Sequence, residues 1–447
     1  MKRRQFMGAA AGAVSAVVVG GSAASAAGAT TTTGAAPAAA PTAAPTGGPF
    51  PPAWPDPEPY GAADARPELM PRDDNSMILD LELRPHDAPL GRVWMRDTYV
   101  NQFEVDGRTL YVATGTTRAA GQVNAGPWND GLYVWTAPAL EGPWTLADTT
   151  GLRPGQPKGK VWSPEFVGEN APGRTVVAPW QEHWTDDGRF GKRGNVWAPE
   201  VHRFRDTWYI VACMGDHSIK VGSFLLVSEG GIEGPYRLAE GNVDKPFGEP
   251  FVGGPAFIAP GAYHHIDGSI FTEGDDAWLV LHNDLYARFT PDMEDIATPT
   301  HLPEFAQTPY APEPYLEGAY VQKYRGRYYL MHAVWARSST GTDGSPRYAY
   351  DPAGPGRVQE QYDAVVAVAD RFEGPYSERY TAGVGAGHNN MFVDERGQAW
   401  ATFFRNPAHG YWADPSRVAD AAVPGVVRLE WTGPHTRRLT VARPAAG

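Results

Sequence analysis

Residues 200–211 read Glu200-Val201-His202-Arg203-Phe204-Arg205-Asp206-Thr207-Trp208-Tyr209-Ile210-Val211. An acid opens the stretch, a short alternating run follows, Arg205-Asp206 marks a turn, and an aromatic and β-branched run closes it. That is the signature of a two-stranded hairpin. The same order recurs in four other places. Asp97 leads through Val100-Asn101-Gln102-Phe103 and Asp106-Gly107 to Leu110-Tyr111-Val112-Ala113. Asp267 leads through Ser269-Ile270-Phe271 and Gly274-Asp275 to Trp278-Leu279-Val280-Leu281. Glu317 leads through Tyr320-Val321-Gln322-Lys323-Tyr324 and Arg325-Gly326 to Tyr328-Tyr329-Leu330-Met331, and His388 through Asn390-Met391-Phe392-Val393 and Arg396-Gly397 to Trp400-Ala401-Thr402-Phe403.

A second signature follows at a distance, an apolar strand and then Gly-Pro-aromatic: Glu141-Gly142-Pro143-Trp144, Glu233-Gly234-Pro235-Tyr236 and Glu373-Gly374-Pro375-Tyr376. The last repeat carries a weaker copy at Gly433-Pro434, and the third lacks it. Two inner and two outer strands per repeat predict four-stranded antiparallel sheets, and a fivefold repeat of them predicts an all-β, five-bladed β-propeller over residues 77–447. The alternating run Met77 to Arg84 is expected to close the ring against the last blade. An insertion between the first and second repeats holds Trp162-Ser163-Pro164-Glu165, a near copy of Trp197-Ala198-Pro199-Glu200; the second copy runs directly into its hairpin and is the expected channel-facing one.

In a propeller the first strand of each blade lines the central channel, so Asp97, Glu200, Asp267, Glu317 and His388 are expected around one cavity. A single acid beside a turn is usually a solvated or turn-capping residue. Three acids from separate blades around one pocket instead suit glycosidic hydrolysis, which takes a carboxylic acid for the leaving oxygen and a carboxylate for water. The chain carries no Gly-x-Ser-x-Gly elbow, no phosphate-cradling Gly-x-x-x-x-Gly-Lys-Ser/Thr and no His-Glu-x-x-His pair to suggest other chemistry.

Arg96-Asp97-Thr98, Trp197-Ala198-Pro199-Glu200, Ile266-Asp267-Gly268-Ser269-Ile270-Phe271, Glu317-Gly318-Ala319-Tyr320 and Gly387-His388-Asn389 together resemble the ordered blade motifs of glycoside hydrolase family 43 and its five-bladed relatives. The resemblance implies an inverting glycosidase acting on arabinose, xylose or galactose linkages. It implies Asp97 as general base, Asp267 as the residue that orients the acid and tunes its pKa, and Glu317 as general acid. It further implies that His388 lies in the channel, binding a structural calcium or its water shell; no other cofactor is called for. Thr98 and Gly268 stand where the family commonly has Pro, which points to a side branch. Inversion needs room for a water, so the acid and base carboxyls are expected roughly 6.5–9.5 Å apart.

Trp197, Trp162 and Tyr263 are candidates either to stack on a sugar face or to wedge between blades. Glu200, His264, His265, Asn283 and His388 are candidate substrate ligands. Two alternatives share the pocket: a noncatalytic carbohydrate-binding propeller, and a retaining five-bladed glycosidase, whose expected Asn-Asp-Pro start is replaced here by Arg96-Asp97-Thr98.

The remaining composition agrees with a carbohydrate partner. The 447 residues carry 38 Lys+Arg against 51 Asp+Glu, a net charge of −13 that disfavours nucleic acid as a partner. Gly (51) and Pro (42) make up about a fifth of the chain, which suits many turns. The single cysteine, Cys213, excludes an intrachain disulfide and reads as a buried apolar filler. Lys2-Arg3-Arg4-Gln5-Phe6-Met7 before an Ala/Gly/Val-rich run ending at Ala26 reads as a twin-arginine signal peptide, residues 1–26. Its removal takes Lys2, Arg3 and Arg4 away and moves the net charge from −13 to −16. Residues 27–76, rich in Ala, Thr and Pro at their start, read as a disordered linker. A secreted or periplasmic monomer with no membrane span in the mature chain is expected.

Overall fold

The computed structural model describes residues 67–118, 131–163, 166, 196–214, 222–244, 246–247, 266–282, 284–297, 305, 316–340, 346–350, 361–405, 422–433 and 437–443. The expected signal peptide and most of the expected linker lie outside them, as do Glu165, Tyr263, His264, His265 and Asn283. The described elements are strands, with short 3-10 turns such as Ala88–Leu90 and Glu240–Asn242. No described helix is long and apolar enough to cross a membrane.

Each repeat forms one antiparallel sheet. The first blade runs outward through Met95–Val105, Arg108–Thr117, Trp135–Ala137 and Thr145–Leu146, and the second through Val196–Phe204, Thr207–Met214, Ser223–Gly231 and Gly234–Leu238. The third has only Ser269–Glu273, Asp276–Leu281 and Leu285–Arg288, as expected of the repeat without a Gly-Pro-aromatic segment. The fourth runs Leu316–Tyr324, Arg327–Thr340, Gln361–Ala369 and Tyr380–Gly383, and the fifth Met391–Val393, Ala399–Arg405 and Val423–Trp431.

The innermost strands neighbour one another in the order Met95–Val105, Val196–Phe204, Ser269–Glu273, Leu316–Tyr324, Met391–Val393 and back to Met95–Val105, so the ring is closed and five-bladed. Ser76–Ile78 pairs with the outer strand of the last blade, Met77 opposite Val426. The closing strand is shorter than the Met77 to Arg84 run, because Leu81 crosses to bridge Trp144 of the first blade.

The Gly-Pro-aromatic segments share a physical cause. In each, the aromatic polar atom turns back to the carbonyl four residues earlier: Trp144 Nε1 to Leu140 at 3.0 Å, Tyr236 hydroxyl to Ile232 at 2.9 Å and Tyr376 hydroxyl to Phe372 at 2.8 Å. A buried indole or phenol needs such a partner, and the turn supplies it. Between blades the core is aromatic and aliphatic. Phe103 meets Trp208 edge-on at 4.9 Å, and Phe271 stacks on Phe372 at 4.8 Å.

Candidate active site

One residue at the head of every innermost strand has a left-handed backbone: Asp97 (φ 50°), Ala198 (φ 45°), Asp267 (φ 54°), Gly318 (φ 57°) and His388 (φ 50°). The pairing with the second strand slips there in the blades headed by Arg96–Tyr99, Trp197–Glu200 and Glu317–Ala319. A left-handed residue in a strand is a bulge, which frees a backbone N–H from the ladder and re-aims neighbouring side chains.

The freed groups stitch the blades together. Ala198 N–H donates to Thr116 Oγ1 (2.8 Å), Gly268 N–H to Ser223 Oγ (3.1 Å), Gly318 N–H to Asp267 Oδ2 (3.0 Å), Gly387 N–H to Tyr362 O (2.9 Å) and Val100 N–H to Asn390 Oδ1 (3.1 Å). Every seam of the ring therefore carries a hydrogen bond at this level.

The bulges add a level to the sequence reading. Asp97, Asp267 and His388 share the left-handed position, whereas Glu317 precedes its counterpart Gly318 and Glu200 lies two residues beyond Ala198. The acids therefore occupy three rungs, counted along each strand from its left-handed residue. Arg96, Trp197, Ile266, Glu317 and Gly387 make the outer rung. Tyr99, Glu200, Ser269, Tyr320 and Asn390 make the inner one. Glu200 is buried there, with His202 Nε2 at 2.9 Å from its Oε2, next to the rings of Tyr99 and Tyr320.

Asp97 is half-buried; the Thr116 hydroxyl donates to its Oδ2 at 2.6 Å, and His388 Nδ1 lies 3.4 Å from Oδ1. Asp267 is buried among donors: the Gly318 N–H, the Cys213 thiol 3.7 Å from Oδ1, and His282 Nδ1 at 3.9 Å from Oδ2. Glu317 keeps one accessible face, with protein packed around the rest, and accepts a 2.6 Å bond from the Tyr362 hydroxyl. Gly318 is left-handed and lies against the His388 ring; a Cβ there would stand 3.2 Å from His388 Cγ.

These surroundings set opposite proton affinities. Burial alone would raise the Asp267 carboxyl. The charge of His388, the His282 ring and the Gly318 N–H outweigh it and bring the pKa down to about 2. For Glu317 burial is again the largest influence, and the Asp267 charge adds to it. The Tyr362 hydroxyl, His282 and Arg96 oppose them without prevailing, so its pKa is raised. Burial would pull the His388 imidazole down, but the carboxylates of Asp97, Asp267, Glu317 and Glu200 lift it above the usual histidine value. Burial, then the nearby Asp267 charge, pushes the Cys213 thiol well up, so it stays a thiol.

Sequence reasoning placed Asp97, Asp267, Glu317 and His388 in a common channel, and the structure brings them together. It did not find Thr116, Cys213, His282 or Tyr362, which come from second and third strands or, for His282, the residue just past one, and reach the site only through pairing. Trp197 is half-buried on the outer rung. Trp162 is fully buried with its ring 5.2 Å from Phe224, so it wedges in the core rather than offering a sugar face. For a structural calcium, no three His, Cys, Asp or Glu side chains among the described residues converge as a cation cage.

Glycosyl hydrolases family 43 matches the chain over residues 174–432, a span that holds Asp267, Glu317 and His388 and begins downstream of Asp97. Among solved structures the chain is similar to a thermostable family-43 glycoside hydrolase, at 17% identity, covering 80% of this chain and 95% of the other with a TM-score of 0.46. It is also similar to an endo-1,4-β-xylanase from Bacteroides thetaiotaomicron at 17% identity, 79% and 95% coverage and a TM-score of 0.45. An endo-arabinase from the same organism gives 14% identity, 80% and 98% coverage and a TM-score of 0.44. No curated relative matches the chain.

Proposed function

Because the chain belongs to glycosyl hydrolases family 43, we propose that it inverts the glycosidic bond of arabinofuranosyl, xylosyl or galactosyl linkages with Asp97 as base, Glu317 as acid and Asp267 as the residue that keeps the acid protonated. The observation that carries this reading is the pair across the seam between the third and fourth blades. Asp267 is held ionised by its donors, and its charge, added to burial, raises Glu317. An acid whose proton affinity is raised by a neighbouring ionised carboxylate is what leaving-group protonation calls for.

In the reaction, Glu317 gives its proton to the glycosidic oxygen as the C–O bond breaks, and the leaving sugar departs neutral. Asp97 takes a proton from a water attacking the anomeric carbon from the opposite face. The Thr116 bond and the His388 contact hold the Asp97 carboxylate in place without occupying all its lone pairs. Trp197, on the same rung as Glu317, is positioned as a platform for a sugar ring. We also propose export through the twin-arginine pathway, on the strength of Lys2-Arg3-Arg4-Gln5-Phe6-Met7 and the run to Ala26.

The test is turnover of chromogenic arabinofuranosides, xylosides and galactosides by wild type, Asp97→Asn and Glu317→Gln. Either substitution is expected to lower kcat by roughly 10²- to 10⁴-fold. Equal turnover by all three proteins would remove the acid/base assignment, and binding without turnover would establish the noncatalytic propeller instead. NMR of the first-formed anomer decides between inversion and retention.

A further inference from the structure

Arg96 shares the outer rung with Glu317, separated from it by Gly387 of the fifth blade, and its charge reaches Glu317; it directly precedes Asp97, and among the described residues no hydrogen bond or ion pair uses its guanidinium. The group lies over the Phe404 ring, 5.1 Å from the centroid. Its Nε is shielded from solvent without a hydrogen-bond partner, while the residue as a whole is partly buried. A shielded donor without an acceptor is costly, and a cation beside a general acid works against keeping that acid protonated. Arg96 does lower the proton affinity of Glu317. The cation–π contact with Phe404 offsets part of that cost and leaves the orphaned Nε and the effect on Glu317 unaccounted for.

The geometry points to Arg96 as a specificity-determining residue that takes a carboxylate on the substrate, so that the sugar at or next to the cleaved bond is a uronic acid. The inference rests on the glycosidase reading above and names the substrate class for the same pocket. A guanidinium presents a planar fork that matches two carboxylate oxygens at once, and the Phe404 ring fixes its plane before the ligand arrives. A neutral hydroxyl recovers less of the lost solvation than an anion does. The carboxylate also offsets the positive charge that opposes protonation of Glu317, so the proper substrate removes a handicap of the empty site.

The test compares sugars that share a ring and differ in the carboxylate: D-glucuronate against D-xylose, and D-galacturonate against L-arabinopyranose, titrated by NMR into wild type, Arg96→Met and Arg96→Lys. Charge-assisted bonds of this kind are worth roughly 10- to 100-fold in affinity. Wild type is expected to prefer the uronate of at least one pair by about tenfold or more, and Arg96→Met, which keeps the stem on Phe404, is expected to abolish the preference. Arg96→Lys keeps the charge and loses the fork, so it should retain a preference of only a few fold, and it carries the test should the Met variant not fold. A wild type without preference, or a preference that survives in Arg96→Met, overturns the inference. Turnover of chromogenic glucuronides and galacturonides beside the neutral glycosides tests the glycosidase reading by itself: a uronate preference with no turnover of either set removes that reading and leaves a binding propeller, while turnover without a preference removes only the role of Arg96.

Discussion

Asp267 and Glu317 stand on either side of one blade seam, both deep among protein atoms, and their protons behave in opposite ways. Asp267 meets a backbone N–H, a thiol and two imidazoles; at Glu317 the Tyr362 phenol, His282 and Arg96 favour the ionised form, and the charge of Asp267 opposes them. Burial pushes both carboxyls up, so burial is not what separates them. What separates them is the neighbouring charge: His388 and His282 lower Asp267, whereas the Asp267 carboxylate raises Glu317. Gly318 sits at the centre of the contrast: its N–H stabilises the Asp267 charge, and the residue before it carries the acid that this charge raises.

The contrast can be broken most severely by removing its charged member. Asp267→Asn should lower kcat by roughly 10- to 10³-fold, and its basic limb in kcat/KM should move to lower pH, because Glu317 loses the neighbouring charge that raises it. A pH-rate profile on any active chromogenic glycoside measures both effects. The Tyr362→Phe variant should act in the opposite direction. It deletes the hydrogen bond that favours ionised Glu317, so the basic limb should move to higher pH with a smaller loss of rate. Two shifts of the same sign would refute the account of the pair.

Stability offers a third handle. The folded Asp267 carboxyl titrates near 2 against an ordinary value of 3.8. Its contribution is therefore fully present above about pH 4 and is lost as pH falls through about 2, with a size on the order of 2 kcal/mol. Urea midpoints of wild type and Asp267→Asn should draw together over that window. Glu317 runs the other way. Its raised pKa gives stability that is present below the unfolded carboxyl value and lost as pH rises through the folded one. The smallest effect is expected from Gly318→Ala, where a left-handed φ and a Cβ 3.2 Å from His388 Cγ together cost about 1–2 kcal/mol in a urea melt.

The blades were legible in the sequence because their signals are local. A turn such as Asp106-Gly107 lies within a few residues of both strands it joins, and Gly-Pro-Trp or Gly-Pro-Tyr closes a bond across only four residues. The meeting of Asp97, Asp267, Glu317 and His388 was legible through repetition of those signals. Their rungs were not. Whether a strand-heading acid sits at, before or after the bulge depends on which residue turns left-handed. Nothing in Ala198 or His388 advertises that conformation, which disfavours both. Thr116 and Tyr362 belong to strands whose register is fixed by pairing, so their arrival beside Asp97 and Glu317 is a tertiary fact.

The outer edge of the last blade is shared. Residues 76–78 cover Gly425, Val426 and Val427, residues 439–441 cover Leu429 to Trp431, and Asn75 Nδ2 donates to the Ala442 carbonyl at 2.9 Å. Residues 75–78 and 439–442 thus lie side by side along a single β-edge. Joining them by a short peptide and cutting the chain anew at an exposed hairpin such as Asp106-Gly107 would leave the interior contacts as they are. In that sense the wheel has no privileged starting spoke, and the order in which its spokes are synthesised is separable from the chemistry at its hub.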